Sequence, residues 1–229
     1  RSTLFPYTTL FRSSYNMLSL SDVETLYTFI MYVEQFLIME DEMLNINKAY
    51  TDRVNSITHP APHHADDVFA TAMLSVIMPI ELYRTRDMDI IKGASGVIVY
   101  DVGGVYDPTE KRFDHHQNDF NEMHEDGTRF SSAGLIWKAF GEDVIRAIMP
   151  GIDENIILNI KKKVEADLIR DIDAQDNGQM IKGSTMTISD AMSIFNKTWD
   201  LEEDADECFL SACRIASEIL KREIMTVAS

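Results

Sequence analysis

Gly96-Val97-Ile98-Val99-Tyr100-Asp101-Val102-Gly103-Gly104 decides the fold. Val97 to Tyr100 is an unbroken apolar run behind a glycine, which reads as a buried strand, and Gly103-Gly104 closes it with a turn. One carboxylate, Asp101, stands at the end of that strand. Working outward, Arg53 to Thr58 reads as another strand, followed by a His-rich loop and an apolar helix over Asp67 to Ile77. Leu82 to Arg86 is a second short strand, and Asp107-Pro108 marks a turn before an extended segment from Lys111 to His116. Ser131 to Gly141 and Asp153 to Ile169 carry helical periodicity, and the second leads into an acidic segment, Asp171 to Gly178, closed by a turn. The best helical stretches beyond it are Ile188 to Phe195 and Cys208 to Met225. Strand and helix in alternation predict an α/β fold with a mostly parallel, doubly wound sheet and extra N-terminal and C-terminal helices.

In such sheets ligands bind beyond the carboxyl ends of the strands. Three polar groupings emerge there. Thr58-His59-Pro60-Ala61-Pro62-His63-His64-Ala65-Asp66-Asp67 packs three imidazoles and two carboxylates into one loop. Taken alone it reads equally as a metal-binding loop and as a proline-stiffened loop with solvated histidines, and Asp67 has reason enough to be there in the dipole of a helix start. Asp101 either caps a local turn or, with its two oxygens, bridges two cations in the manner of two-metal hydrolases. Asp114-His115-His116 is the most specific signal, because neighbouring imidazoles on an extended segment point to opposite sides. One of the two can bind metal while the other faces substrate as a phosphate donor or general acid, with Asp114 orienting a ring behind them. Dense His/Asp groupings of this kind suit divalent ions with mixed nitrogen and oxygen ligands. Asp173 and Asp176 are weaker candidates, His63 and His124 read as bystanders, and Arg84 and Arg86 either meet an anionic substrate or pair with nearby acids.

With 229 residues the chain suffices for one main domain plus appendages. Its 21 basic and 38 acidic residues give a net charge of −17, which disfavours unaided adhesion to nucleic acid or anionic membrane. Cys208 and Cys213 support neither a disulfide framework nor a cysteine metal site, so a reducing compartment is expected. The most apolar stretch, Leu26 to Met39, is shorter than the roughly 20 residues of a spanning helix, so no membrane association is expected. Residues 1–16 read as a non-native or disordered extension, since Arg-Ser-Thr-Leu-Phe is followed by its near mirror image, Thr-Leu-Phe-Arg-Ser. Residues 17–50 form an N-terminal helical segment, with a capping-box start at Ser21 and Glu24 and a helix to about Met43. Residues 51–180 are the metal-binding domain, and residues 181–229 are its helical C-terminal part.

A family resemblance sharpens this reading. His59 through Ala70, Arg84-Thr85-Arg86-Asp87, Tyr100 through Pro108, Arg112-Phe113-Asp114-His115-His116-Gln117, Ser131 through Leu135 and Asp173 through Gly178 together resemble the melanocyte-proliferating-gene (MYG) family of the DHH phosphoesterase superfamily. The resemblance implies that His59, His64 and Asp101 hold one divalent metal ion, and that Asp66, Asp101, His115 and Asp176 hold a second, both manganese or magnesium. It implies catalysis by metal-activated water, with His116 at the scissile phosphate, Asp101 bridging, Asp114 behind His116, and Arg86 a weak substrate contact. The implied activity is 3′ to 5′ exonucleolytic cleavage of RNA or oligonucleotides in the nucleus or mitochondrion. The chain departs from the family at Pro60-Ala61-Pro62-His63, where a serine, a glycine and an aromatic are usual, and at Asp67, where glutamate is usual. It is also expected to lack the family's C-terminal domain. Two other readings stand beside this one: a small phosphoanhydride or nucleotide phosphatase, and a non-catalytic metal-binding or interaction protein.

Overall fold

Alternation along the short strands sets which side chains face which layer. In a computed structural model that describes residues 43–179, 186–200 and 202–229, the strands are β1 (Leu44–Asn47), β2 (Ser56–Thr58), β3 (Ile80–Arg84), β4 (Ile98–Tyr100), β5 (Tyr106–Asp107) and β6 (Arg112–Phe113). The helices are α1 (Ala65–Ile77), α2 (Met88–Gly93), α3 (Ser132–Ile148), α4 (Glu154–Val164), α5 (Arg170–Asp176), α6 (Ile188–Ser193) and α7 (Ala205–Ala228), with a π-helical turn, Glu165–Ile169, joining α4 to α5. Ile98 and Tyr100 of β4 join Ile80 and Leu82 of β3 in a large core under α1, α3 and α7. Val97 and Val99 point the other way, into a smaller core with Ile57 and Ile91 of α2. Helices therefore cover both faces, as expected for a doubly wound sheet.

The strand order is β1-β3-β2-β4-β6-β5, parallel throughout except for the β5–β6 pair. The chain leaves β2 toward β3 on one side and later lays β4 on the other, so the connections diverge beyond the carboxyl ends of β2 and β4. That crevice is where such sheets bind ligands. α1 is buried over almost all of its circumference, Ala65 through Leu74 without a break. Its alanines admit close neighbours, and Val68, Phe69, Met73 and Leu74 fill the large core. α7 presents one stripe, Phe209, Ala212, Cys213, Ala216, Leu220 and Ile224, at the three- and four-residue spacing of an amphipathic helix.

Several expected boundaries shift. The first strand shortens to Ser56–Thr58, the next lies two residues earlier than expected at Ile80–Arg84, and α3 runs on to Ile148. Leu44–Asn47 is an edge strand rather than part of a helical segment, because its backbone pairs with β3 while Asn45 and Asn47 both donate to the Glu81 carboxylate. The acidic segment from Asp171 is helical, continuing α4 through the π turn, because Ile172, Asp173 and Ala174 are buried. β6 stops at Phe113, so Asp114-His115-His116 lies beyond the paired strand. Asp114 turns back to accept the backbone N–H groups of His115 and His116. The expected helix from Ser21 and the apolar run Leu26 to Met39 lie outside the described residues. No helix among the described residues is long and apolar enough to cross a membrane.

Candidate metal centre

Register brings the candidate residues together. β2 pairs with β4 through Ile57 and Val99, and β4 with β6 through Tyr100 and Phe113, so one step past the strand ends His59, Asp101 and Asp114 stand side by side. Asp101 takes a left-handed backbone, with φ 57°. For a residue with a Cβ that conformation is sparsely populated, and such strain gathers at functional sites. It directs the carboxylate back over the crevice, and the glycines that follow let the loop return so that Gly104 N–H donates to Asp114.

The two oxygens of Asp101 serve different partners. Oδ2 lies 3.0 Å from His59 Nε2, and Oδ1 lies 3.4 Å from His115 Nε2. His115 Nε2 also faces Asp176 Oδ2 at 3.2 Å and Asp66 Oδ2 at 3.7 Å. His59, His64 and Asp101 offer ligand atoms within 4.8 Å of one another, as do His64, Asp66 and Asp176. The structure thus gathers His59, His64, Asp66, Asp101, His115 and Asp176 from β2, α1, β4, β6 and α5 into one cluster. His59 Nε2, His115 Nε2, Asp66 Oδ1, Asp67 Oδ2 and Asp101 Oδ2 are buried and have no hydrogen-bond partner among the described residues. Five orphaned polar atoms in one place are unusual for a folded interior, and their chemistry, imidazole nitrogen and carboxylate oxygen, is that of a divalent-cation site.

Ring orientation is fixed from behind. His59 Nδ1 sits 2.7 Å from Pro60 O, which leaves Nε2 to face the cluster. His116 Nδ1 lies 2.7 Å from Asp114 Oδ1, so its Nε2 points elsewhere. The two adjacent rings differ in exposure, His115 at 5% and His116 at 59% of the side chain. Their ring centroids are nevertheless only 4.3 Å apart, so the two rings do not stand on opposite sides as strand neighbours would. Ser132, at the first turn of α3, closes the floor: its hydroxyl donates to Asp101 Oδ1 and Phe113 O, and its N–H to Asp66 Oδ2.

The charges oppose one another. Burial, then the charges of Asp101 and Asp176, push the Asp66 carboxyl far above its usual range. Burial also raises Asp67, to about 7, against the pull of His59. Burial likewise raises Asp176. Asp101 goes the other way: burial disfavours its charge, but His115 and His59 outweigh that and hold it below the carboxylate range. His116 is raised to about 9, first by its hydrogen bond to Asp114. Four clustered carboxylates with too few protein cations make a site that a divalent ion would complete.

The sequence pattern does not reveal Asp67 as a member. Its Oδ1 accepts from His64 N–H, as a residue in a helix first turn does, but Oδ2 lies 3.3 Å from His59 Nε2. Two acids in succession at a helix start are the only signal that could have found it. Asp173 and His124 form a buried pair away from the cluster. His63 is buried against Phe209, with Nε2 toward Met192 O, and burial lowers it to about 4. Arg84 takes the ion-pairing alternative, donating to His59 O and Asp206 and lying over the Phe209 ring. Arg86 is exposed beyond the end of β3.

A profile of the MYG1 exonuclease family, described as uncharacterised protein family UPF0160, matches residues 55–229. Among curated proteins, the chain is 34% identical over 182 residues to a MYG1 protein of Schizosaccharomyces pombe, covering 73% of this chain and 55% of that one. It is 33% identical over 180 residues to the MYG1 exonuclease of Homo sapiens, covering 70% and 47%. A MYG1 protein of Caenorhabditis elegans is 31% identical over 189 residues, covering 75% and 55%. The chain spans about half the length of the curated relatives it matches. No solved structure matches.

Proposed function

Since the chain belongs to the MYG1 exonuclease family, UPF0160, we propose that it is a divalent-metal-dependent hydrolase of phosphoester bonds, a 3′ to 5′ exonuclease acting on RNA or short oligonucleotides. The observation that carries this reading is Asp101, whose two oxygens each meet a different imidazole, His59 and His115, at the switch point of the sheet. In this reading His59, His64 and Asp101 hold one ion, and Asp66, Asp101, His115 and Asp176 hold a second, manganese or magnesium, on a core of the DHH phosphoesterase type. When bound, two such cations would neutralise an approaching phosphate and acidify a water for attack.

The protein's own groups do the rest. His116 is exposed, held at Nδ1 by Asp114, and its hydrogen bond to that carboxylate raises it to about 9. Its Nε2–H is free to donate to a phosphate oxygen and to pass a proton toward the leaving oxygen. Ser132 holds the Asp101 and Asp66 carboxylates in place while substrate binds. Arg86 is a weaker contact with the substrate backbone. The same proposal places the protein in the nucleus or mitochondrion. A second reading, hydrolysis of a small phosphoanhydride or nucleotide, is favoured by the net charge of −17, of which two divalent ions offset only four.

The test follows 3′-labelled short RNA and pyrophosphate side by side with manganese, magnesium or chelator, in wild type and Asp101→Asn. Metal-dependent release of label by wild type alone is the expected result. Cleavage of pyrophosphate alone moves the substrate to small anhydrides. Tight manganese binding with no turnover on either substrate sinks the hydrolase reading for this chain and leaves a binding role.

A further inference from the structure

Outside the ligand set, the described residues hold a second buried polar network. His124 places Nε2 2.6 Å from Asp173 Oδ2 and Nδ1 2.9 Å from Glu165 Oε1. The His124 side chain is 4% exposed and that of Asp173 0%. The other oxygen of Asp173 accepts from Ser131 N–H at 3.1 Å, Ser131 Oγ at 2.6 Å and Gly134 N–H at 3.0 Å. Gly134 is a glycine because a Cβ there would run into the Asp173 carboxylate and the Phe130 ring. Nearby, Asn177 donates to Arg129 O, and Gln179 accepts from Arg129 N–H, so the turn that carries His124 is tied to the end of α5 at several points.

The elements tied here adjoin the metal centre. The turn around His124 lies on the same loop as His115 and His116, with His124 eight residues beyond His116. Ser131 adjoins Ser132, which holds Asp101 and Asp66. Asp173 lies one helical turn before Asp176, on a helix whose phase is set by the π turn that begins at Glu165. Within α-helices such π turns recur at functional sites. Apolar side chains of similar volume would hold these elements together at least as well as buried charges do. Directional bonds to both His124 nitrogens and to both Asp173 oxygens supply something packing does not, a fixed distance and rotation.

We propose that His124 and Asp173 are positioning residues, a clamp between the turn after His116, the start of α3 and helix α5 that fixes Asp176 against His115 in the metal centre. The proposal rests on the metal-centre reading above. Without the clamp α5 can slide or rotate against the turn, and the 3.2 Å approach of Asp176 to His115 is lost. Supporting groups of this kind typically change metal affinity by about 10- to 100-fold when removed.

Manganese binding to the full chain, by titration calorimetry alongside thermal melts, tests it in wild type, His124→Gln, Asp173→Asn, Ser131→Ala and Leu220→Ala. The clamp variants are expected to bind manganese about 10- to 100-fold more weakly, and Ser131→Ala a few-fold more weakly. Leu220→Ala, in the core along α7, is expected to melt earlier yet keep its affinity, as distant sites do. Unchanged affinity in a folded His124→Gln or Asp173→Asn overturns the clamp while leaving the metal centre standing. Should both fail to fold, unchanged affinity in Ser131→Ala overturns it instead. If wild type binds no manganese, the metal-centre reading falls and the clamp with it.

Discussion

Asp101 carries its charge on a left-handed backbone, and that pairing separates chemistry from folding in one substitution. Asparagine tolerates the same conformation but offers one weak oxygen and an amide. Asp101→Asn is therefore expected to melt within a few degrees of wild type while losing the proposed metal-dependent hydrolysis by about 100-fold or more, roughly 3 kcal/mol of barrier. A variant that is folded and still active would remove Asp101 from the centre. His124 yields a different prediction. Burial disfavours its charge, but hydrogen bonds to Asp173 and Glu165 outweigh that and raise it to about 9 from 6.5. A raised folded value means the pair's stabilisation is fully present below 6.5 and is lost as the pH rises through about 9. Urea melts should show wild type exceeding His124→Gln by about 2 kcal/mol in the acid range, after discounting for the partly solvated Glu165, with the gap closing above pH 9. At this scale much was legible: Asp101 stands out because a charge ending an apolar run wants a partner. Asp67 was not, because whether an acid in a helix first turn faces solvent or site depends on where the helix begins, and α1 begins two residues before it.

Helices with long apolar stripes could be read from periodicity: α1 and α7 are where the pattern puts them, within three residues at their ends, and α3 starts as expected but runs seven residues further, to Ile148. Elements whose stability comes from distant partners could not. β1 is four residues at a sheet edge and exists through its ladder with β3. α5 carries acids at Asp171, Asp173 and Asp176, which resembles a solvated turn until His124, 49 residues earlier in sequence, enters to neutralise Asp173. The contact between α3 and α5 is correspondingly unforgiving. Gly134→Ala forces a methyl group into the Asp173 carboxylate and the Phe130 ring, and the cost is expected to be about 3 kcal/mol. Chemical denaturation measures it directly, and a loss below about 1 kcal/mol would mean that α5 yields easily and is not fixed by this contact.

On the scale of the whole molecule, the acidic centre couples folding to pH, and the proposed metal would act on it in the opposite sense. Asp66, Asp67 and Asp176 all have folded values raised above the ordinary carboxylate range, Asp67 to about 7. The folded metal-free chain thus holds protons more tightly than the unfolded one. These groups support the fold fully below the ordinary carboxylate value of 3.8, and the support is lost as the pH rises through the folded values, for Asp67 about 7. A divalent ion replaces the protons and must compete with them, so its effect grows as they leave. At about a hundredfold excess over its dissociation constant an ion adds roughly 2.7 kcal/mol, or about 5–10 °C in a chain of this size. Manganese is therefore expected to raise the melting temperature by that amount above pH 7, by much less near pH 5, and chelator should reverse it. Scanning calorimetry at the two pH values decides the matter. An equal gain at both would mean that the ion binds away from the raised carboxylates, and no gain at either would mean that the buried cluster is held together by shared protons rather than by a metal.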